Sequence, residues 1–407
     1  MSASEKTTLP LHLHLLPQDI LFEILSKLPA KSLVRLRCVS KFFSALIADH
    51  AFGVLHRSLS FKLPSRAGIL MAIIPRTPLS SAPVYYTINN FSEETLQANR
   101  LDYLDADEPF PKGCLHSSSD GLICLSKPNG DVVVCNVSTG QRVSLPRFQF
   151  NSPHRTQICS LLGFDSQSKR YKVLMIDRRR SIFEYKHWVL TVGVDKSWRE
   201  INYSSHPFSP FDGFGCVGQS DTSVHIDGVI YFYNWLTKDD PPSFHIVAFD
   251  VGSESYSLIP IPPEVTSSSR VHCIGKTYCC SDFVFKNFAL LQVDGGRLAI
   301  VYVRKRDQQF YMDVWILEKS KGCWEKITTK IPFNLRVEQS TKYRYTTNHA
   351  GEVVLLGKNN KQFIIFVCNL KSKTWRKFDI GGVKEFPICL LAEVRMYKTM
   401  DNVFFIE

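Results

Sequence analysis

Two hydrophobic patterns divide the chain. From Leu16 to Ile47, apolar residues recur at helical spacing. From about residue 60 onward they form short β-branched and aromatic runs between Gly, Pro, Asn, Asp and Ser turns. The first stretch predicts three short helices. The first follows Leu16-Pro17, where proline suits an opening helical turn, and Pro29 stops it. Along it Ile20, Leu21, Ile24, Leu25 and Leu28 fall within about 140° of one another at 100° per residue. Phe22 lies outside that arc, and Asp19 and Glu23 occupy the early turns that favour negative charge. The second helix carries Leu33, Leu36 and Val39 at three-residue spacing, with Arg35, Arg37 and Lys41 as a basic edge. Ser40 is placed to cap the third, whose Phe42, Phe43, Leu46 and Ile47 share an arc. So short a segment rarely holds a core alone, so the rest of the chain or a partner must cover it. The divisions expected are a tail over 1–14, a helical domain over 15–50, a short helical linker over 51–59 and a second domain over 60–407.

The second stretch repeats. Segments starting at Gly121, His225 and His349 each read turn, apolar strand, polar turn, apolar strand, tight turn, then a last strand opening on a bulky residue. Weaker copies begin near Leu162 and Leu290, and a sixth covers 60–100, with 386–406 available to complete it. Aligned on the last strand, the anchors are Arg142, Trp198, Tyr256, Trp324 and Trp375. A small antiparallel meander has one face too many to bury alone, so the units must stack. Radial stacking leaves only short, protected edges. The expectation is an α+β multidomain chain: a small N-terminal three-helix module followed by an all-β propeller of about six or seven blades. A β-sandwich or irregular stacked sheets is the alternative. The anchor tryptophans read as blade-packing residues and not as sugar platforms.

Charge and chemistry add exclusions. The formal net charge of +11 raises nucleic acid as a partner. The excess is scattered, however, and its tight clusters, Arg178-Arg179-Arg180 and Arg304-Lys305-Arg306, sit in candidate turns. No nucleic-acid partner is expected; a basic rim selecting acidic proteins is the sharper form of the idea. Twelve cysteines show no C-x-x-C, so no metal is expected, and His272, Cys273, Cys279 and Cys280 read as packed strand residues. The N-terminus lacks a signal-peptide pattern, and the apolar run Ile69–Ile74 is too short to cross a bilayer. A reduced chain in the cytoplasm or nucleus, away from membranes, follows. No nucleophile elbow, H-E-x-x-H, phosphate loop or dinucleotide loop is present, so neither catalytic residues nor a cofactor is expected. Three segments exceed what a tight turn needs: 203–219, 235–243 and 264–273. Phe208, Phe211 and Trp235 lie there beside Asp and Pro, a composition suited to a protein contact, and are the expected target-binding residues. The arginine clusters are expected on the opposite loops.

The helical stretch resembles the F-box motif. The match runs through Leu16-Pro17, Glu23-Ile24-Leu25, Leu28-Pro29, Lys31-Ser32-Leu33, Arg35-Leu36, Cys38-Val39-Ser40-Lys41 and Leu46-Ile47. Phe43 departs from it, standing where many members carry tryptophan. The resemblance implies docking onto a Skp-type adaptor, and through it a cullin and a RING subunit. The residues it implies for that face are Leu16, Pro17, Ile20, Ile24, Leu25, Leu28, Pro29, Leu33, Leu36, Val39 and Phe43. The second stretch resembles the kelch-like F-box-associated domain of plant F-box proteins. The carriers are Ser119 to Leu125, Asn136 to Gly140, Leu162 to Asp165, Asp227 to Tyr231 and the closing tryptophans; Cys135 replaces a usual tryptophan. Together they imply a non-catalytic substrate-recognition subunit of a Skp-cullin-F-box ubiquitin ligase, bringing an unidentified target protein to ubiquitination and proteasomal degradation. The alternatives are an adaptor-bound binding module without a degradative role, and a propeller enzyme.

Overall fold

The computed structural model describes residues 16–75, 83–89, 91, 95–104, 115–127, 129–149, 156–179, 185–201, 209–210, 223–236, 243–267, 271–274, 277–280, 288–332, 344–359, 362–383 and 392–404. Four helices come first: α1 (Gln18–Ser26), α2 (Ala30–Arg37), α3 (Lys41–Ala48) and α4 (His50–Ser60). Pro17 and Pro29 sit one residue outside α1 and α2, as their N-caps. Ser40 Oγ accepts from the Phe43 N–H at 3.2 Å, capping α3 as expected. Asp49 does the same for α4 through the Ala51 N–H at 2.7 Å. The stretch expected as a linker is thus a helix of the module itself, and its Phe52 is fully buried.

These helices share one apolar cluster: Leu21, Leu25, Ala30, Leu33, Leu46, Ile47 and Phe52, joined by Val403 from the far end of the chain. Each large side chain so buried contributes about 1.5–3 kcal/mol. The single arc expected on α1 is split. Leu21 and Leu25 face this cluster, while Ile20 and Ile24 remain 43% and 46% exposed. Phe22, which lies outside the apolar arc, packs its ring edge-on to Phe52 of α4 with centroids 5.2 Å apart.

The β region consists of four-stranded antiparallel units. The first holds β1 (Ala67–Pro75), β2 (Val84–Asn89) and β3 (Thr95–Arg100). The second holds β4 (Leu115–Ser119), β5 (Leu122–Ser126), β6 (Val132–Asn136) and β7 (Arg142–Ser144). The third holds β8 (Thr156–Asp165), β9 (Arg170–Arg179), β10 (Tyr185–Thr191) and β11 (Arg199–Glu200). A short β12 (Ser209–Pro210) precedes the fourth: β13 (Val224–Ile226), β14 (Val229–Leu236), β15 (Ser243–Asp250) and β16 (Ser255–Pro260). After a separate hairpin, β17 (Val271–Ile274) with β18 (Thr277–Cys280), comes the fifth: β19 (Phe288–Val293), β20 (Arg297–Arg306), β21 (Gln309–Glu318) and β22 (Cys323–Lys330). The sixth holds β23 (Arg344–Thr347), β24 (Val353–Asn359), β25 (Gln362–Asn369) and β26 (Thr374–Gly381). The last strand, β27 (Ala392–Met400), returns to pair with β1 from Ala67↔Met400 to Pro75↔Ala392 and completes the first unit. β26 pairs in parallel with β3, so the first and sixth units form one continuous sheet.

Local sequence explains the repeat. The β4–β5 and β13–β14 turns are Asp120-Gly121 and Asp227-Gly228, each with both residues at positive φ, the two-residue turn that matches strand twist. Between third and fourth strands, Asn136, Asp250 and Asn369 fold back to accept backbone N–H groups two to three residues on. Those turns end on a positive-φ residue, Gly140, Glu254, Gly322 or Lys373, and the anchor residue follows two positions later. Arg142, Tyr256, Trp324 and Trp375 accordingly stand opposite Cys135, Phe249, Leu317 and Cys368 in matching register.

Each anchor reaches back to the preceding unit. The indole N–H of Trp198 donates to Pro146 O at 2.6 Å, that of Trp324 to Pro260 O at 2.9 Å, and that of Trp375 to Thr329 Oγ1 at 3.2 Å. The Tyr256 hydroxyl meets His187 Nδ1 at 2.5 Å, and the Arg142 guanidinium donates to Tyr103 O. The anchors therefore bond unit to unit, a role the repeat alone did not reveal.

Candidate functional site

Strand direction alternates, so in every unit the first–second and third–fourth turns share one end, and the second–third turns and inter-unit connections share the other. The helical module packs on the first of these ends. Asp401, just past β27, accepts the Ala30 N–H at 2.7 Å and supplies the cap that α2 lacks in its own sequence. Arg66, just before β1, donates to Ser26 O at 2.7 Å and Leu28 O at 3.0 Å, satisfying carbonyls at the end of α1. His56 of α4 meets Leu28 O at 3.1 Å; burial and the nearby Arg66 charge push its pKa down to about 4.

A buried polar cluster makes the joint. Arg57 Nη2 of α4 lies 2.5 Å from Asp120 Oδ2, and Arg57 Nε donates to the Tyr171 hydroxyl at 3.2 Å. The guanidinium stacks on Phe164, 3.5 Å from the ring centroid. Asn402 donates to Asp120 O at 2.7 Å and to the Tyr171 hydroxyl at 3.2 Å. Burial alone would raise the Asp120 carboxyl, but the Arg57 charge and hydrogen bond, together with His225 and the Ser119 hydroxyl, hold the group below the usual carboxylate value. The Phe164 N–H donates to His225 Nε2 at 3.1 Å, which leaves His225 Nδ1–H for Ser119 Oγ at 3.0 Å. Burial keeps His225 below its ordinary pKa.

The residues implied for adaptor docking fall into three groups. Leu16, Pro17, Ile20, Ile24, Pro29 and Val39 are exposed, Val39 at 69% just past α2. Leu28, Leu36 and Phe43 are half-buried and pack against the helical cluster. Leu25 and Leu33 are buried within it at 6% and 0% exposure, so they build the module and offer no free surface. Phe42, absent from the expected set, is 40% exposed and packs edge-on against Phe43 at 5.4 Å. A helical wheel cannot find it, because Phe42 and Phe43 lie on one arc and only tertiary contacts separate them.

Of the candidate target residues, Trp235 has its backbone at the end of β14, on the opposite end. Phe208 and Phe211 are outside the described residues, as is the side chain of Trp235. The backbone between them is described: Ser209 pairs with Trp235 and Pro210 with Asn234, which joins segments 203–219 and 235–243. The third segment, 264–273, spans a short helix (Pro263–Ser267) and the start of β17. The arginine clusters differ from expectation twice. Arg304, Lys305 and Arg306 lie within β20, because the turn is only Asp307-Gln308, two non-glycine residues at positive φ. Arg178 and Arg179 likewise end β9. Both clusters close second strands, so they share the end of the candidate loops instead of opposing it. His272 and Cys279 pair across the β17–β18 hairpin; the side chains there lie outside the described residues. No helix among the described residues is long and apolar enough to cross a membrane.

Comparison with known proteins agrees with this division. Residues 13–55 match the F-box domain, and residues 86–404 match the F-box associated beta propeller domain. A putative F-box protein of Arabidopsis thaliana is 28% identical, covering 98% of this chain and 90% of the relative. Another F-box protein of that plant is 28% identical over 96% and 92% of the two chains. A third, an F-box/kelch-repeat protein, is 26% identical over 90% and 85%. Among solved structures, TolB from Acinetobacter baumannii aligns with a TM-score of 0.42 at 14% identity, over 86% of this chain and 72% of TolB. A fungal lectin, described as a six-bladed β-propeller from Aleuria aurantia, aligns at 0.38 and 10% identity, over 77% and 96%.

Proposed function

The chain belongs to the family of F-box proteins with an F-box associated β-propeller domain, and on that premise we propose that it is the substrate-recognition subunit of a Skp-cullin-F-box ubiquitin ligase. The observation that carries this reading is on α1: Ile20 and Ile24 stay exposed while Leu21 and Leu25, one position round, are buried. Leu16, Val39 and Phe42 are exposed as well. Apolar side chains left open on a module otherwise tied down at both ends suit a protein partner. That partner is a Skp-type adaptor, which links to the cullin and RING subunits. The six four-stranded units are read as the blades of a kelch-like propeller whose last strand closes the first blade. Its end away from the helices, where β12 pairs with the end of β14 at Trp235, holds the target protein, with Phe208, Phe211 and Trp235 as the proposed contact residues.

A receptor of this kind breaks no bond. It raises the effective concentration of target lysines near the conjugating enzyme, which is catalysis by proximity. The reading places the protein in the cytoplasm or nucleus. The test is affinity purification of the full-length chain with and without a proteasome inhibitor. Adaptor and cullin are expected in both samples, and target protein is expected to accumulate only with the inhibitor. Absence of adaptor from both samples would refute the assignment.

A further inference from the structure

The ends of the innermost strands gather around a cavity of about 320 Å³ on the side where the helices pack. β4, β13, β19, β23 and β27 contribute to it, and Ser60 and Phe61 at the end of α4 close part of one wall. Lys398 of β27 lines this space. Its ammonium donates to Gln292 Oε1 at 3.2 Å, its sole hydrogen bond among the described residues. His349, on the turn after β23, also lines it and has no hydrogen-bond partner among the described residues. Two further lining residues, Ser118 and Thr399, hold buried hydroxyls without a partner there. Buried polar groups ordinarily find partners, so two unsatisfied hydroxyls beside a half-buried ammonium with one hydrogen bond and an unpartnered imidazole mark the space as built for a polar occupant.

The charge balance decides which occupant. Asp120 is neutralised by Arg57, and Asp294 by Arg297 at 3.2 Å and Lys371 at 3.0 Å. The exposed Asp227 is the remaining carboxylate that acts on Lys398, and no ion pair joins them. Burial pulls the Lys398 ammonium below its ordinary pKa, and burial together with the Lys398 charge pulls His349 down. A bound anion would offset both. The single ammonium, Lys398, offsets the one charge of a carboxylate group, whereas a phosphate dianion would bring two charges on one group into the same partly buried space. The volume lies at the small end for ligand pockets, too tight for a folded segment beneath α4. We infer that this cavity binds a small organic carboxylate, held by Lys398 and His349 with the Ser118 and Thr399 hydroxyls as further partners. This inference goes beyond the ligase reading and does not depend on it.

The test is thermal melting of the full-length chain at constant ionic strength with succinate, inorganic phosphate or uncharged 1,4-butanediol. Succinate is expected to raise the melting temperature with concentration, phosphate less, and the diol not at all. Lys398→Gln keeps a hydrogen-bonding side chain but removes the charge, and is expected to weaken succinate binding about tenfold or more. Should that variant fail to fold, His349→Gln, on a partly exposed turn, is expected to weaken binding severalfold. No shift with succinate, or an undiminished shift in the variant, overturns the site. A larger shift with phosphate overturns the carboxylate assignment.

Discussion

Arg57 and Asp120 join the helical module to the β region through a buried ion pair at 2.5 Å. Arg57 lies on α4 and Asp120 at the first hairpin turn of the second unit, with both side chains at least 87% buried (13% and 10% exposed). Breaking one side of such a pair strands a buried charge, whereas replacing both sides with apolar groups is often tolerated. Arg57→Leu is therefore expected to destabilise the full chain by about 3–5 kcal/mol. Arg57→Leu with Asp120→Leu should recover part of that loss in a chemical-denaturation series, although Asp120 also holds a positive-φ turn.

The anchors give a second expectation. Trp198, Trp324 and Trp375 are half-buried, so truncation to alanine should cost less than in a full core, about 2–4 kcal/mol each. Replacement by phenylalanine keeps most of the ring contact and loses only the indole N–H bond, about 1 kcal/mol. Melting of each variant checks both values. Unchanged melting with lost target binding would make these residues a binding site.

Acid should loosen the fold before the carboxylates titrate. Burial pushes His187 down to about 3 and His56 to about 4, from an ordinary 6.5. Their folded values are depressed, so unfolding takes up protons below pH 6.5. The stability they contribute is complete above 6.5 and is lost as pH falls toward 4 and then 3. The limiting slope is about 1.4 kcal/mol per pH unit for each histidine. Melting between pH 7 and 4.5 should fall more steeply in the parent chain than in His187→Gln.

Much of this was legible in the sequence because it is set by neighbours along the chain. Asp-Gly turns, Asn and Asp side-chain turns and a bulky residue opening the last strand are all local signals, and they fix the units. The return of the last strand to β1 was legible because the first unit was one strand short. Contacts between distant residues were not. The Asp401 cap on Ala30 spans 371 residues, and Val403 completes the helical cluster from the other terminus. Without these, periodicity could not tell Leu25, which is buried, from Ile24, which is open. The arginine clusters were misplaced because Asp307-Gln308 carries no glycine to mark a two-residue turn.

At the far end, β12 holds Ser209 against Trp235. Alanine substitution at Phe208, Phe211 or Trp235 is expected to reduce target co-precipitation at unchanged melting temperature. Loss of melting temperature together with binding would mean that these residues support the loops and do not form the contact.

The most direct measurement is co-purification of a Skp-type adaptor with full-length Ile24→Asp. Ile24 is 46% exposed and sits outside the helical cluster, so the substitution should leave melting within about 0.5 kcal/mol of the parent. The account predicts that adaptor binding falls below detection while the chain stays folded. Full adaptor recovery with Ile24→Asp, or with Ile20→Asp and Ile24→Asp together, would contradict the docking surface assigned to α1.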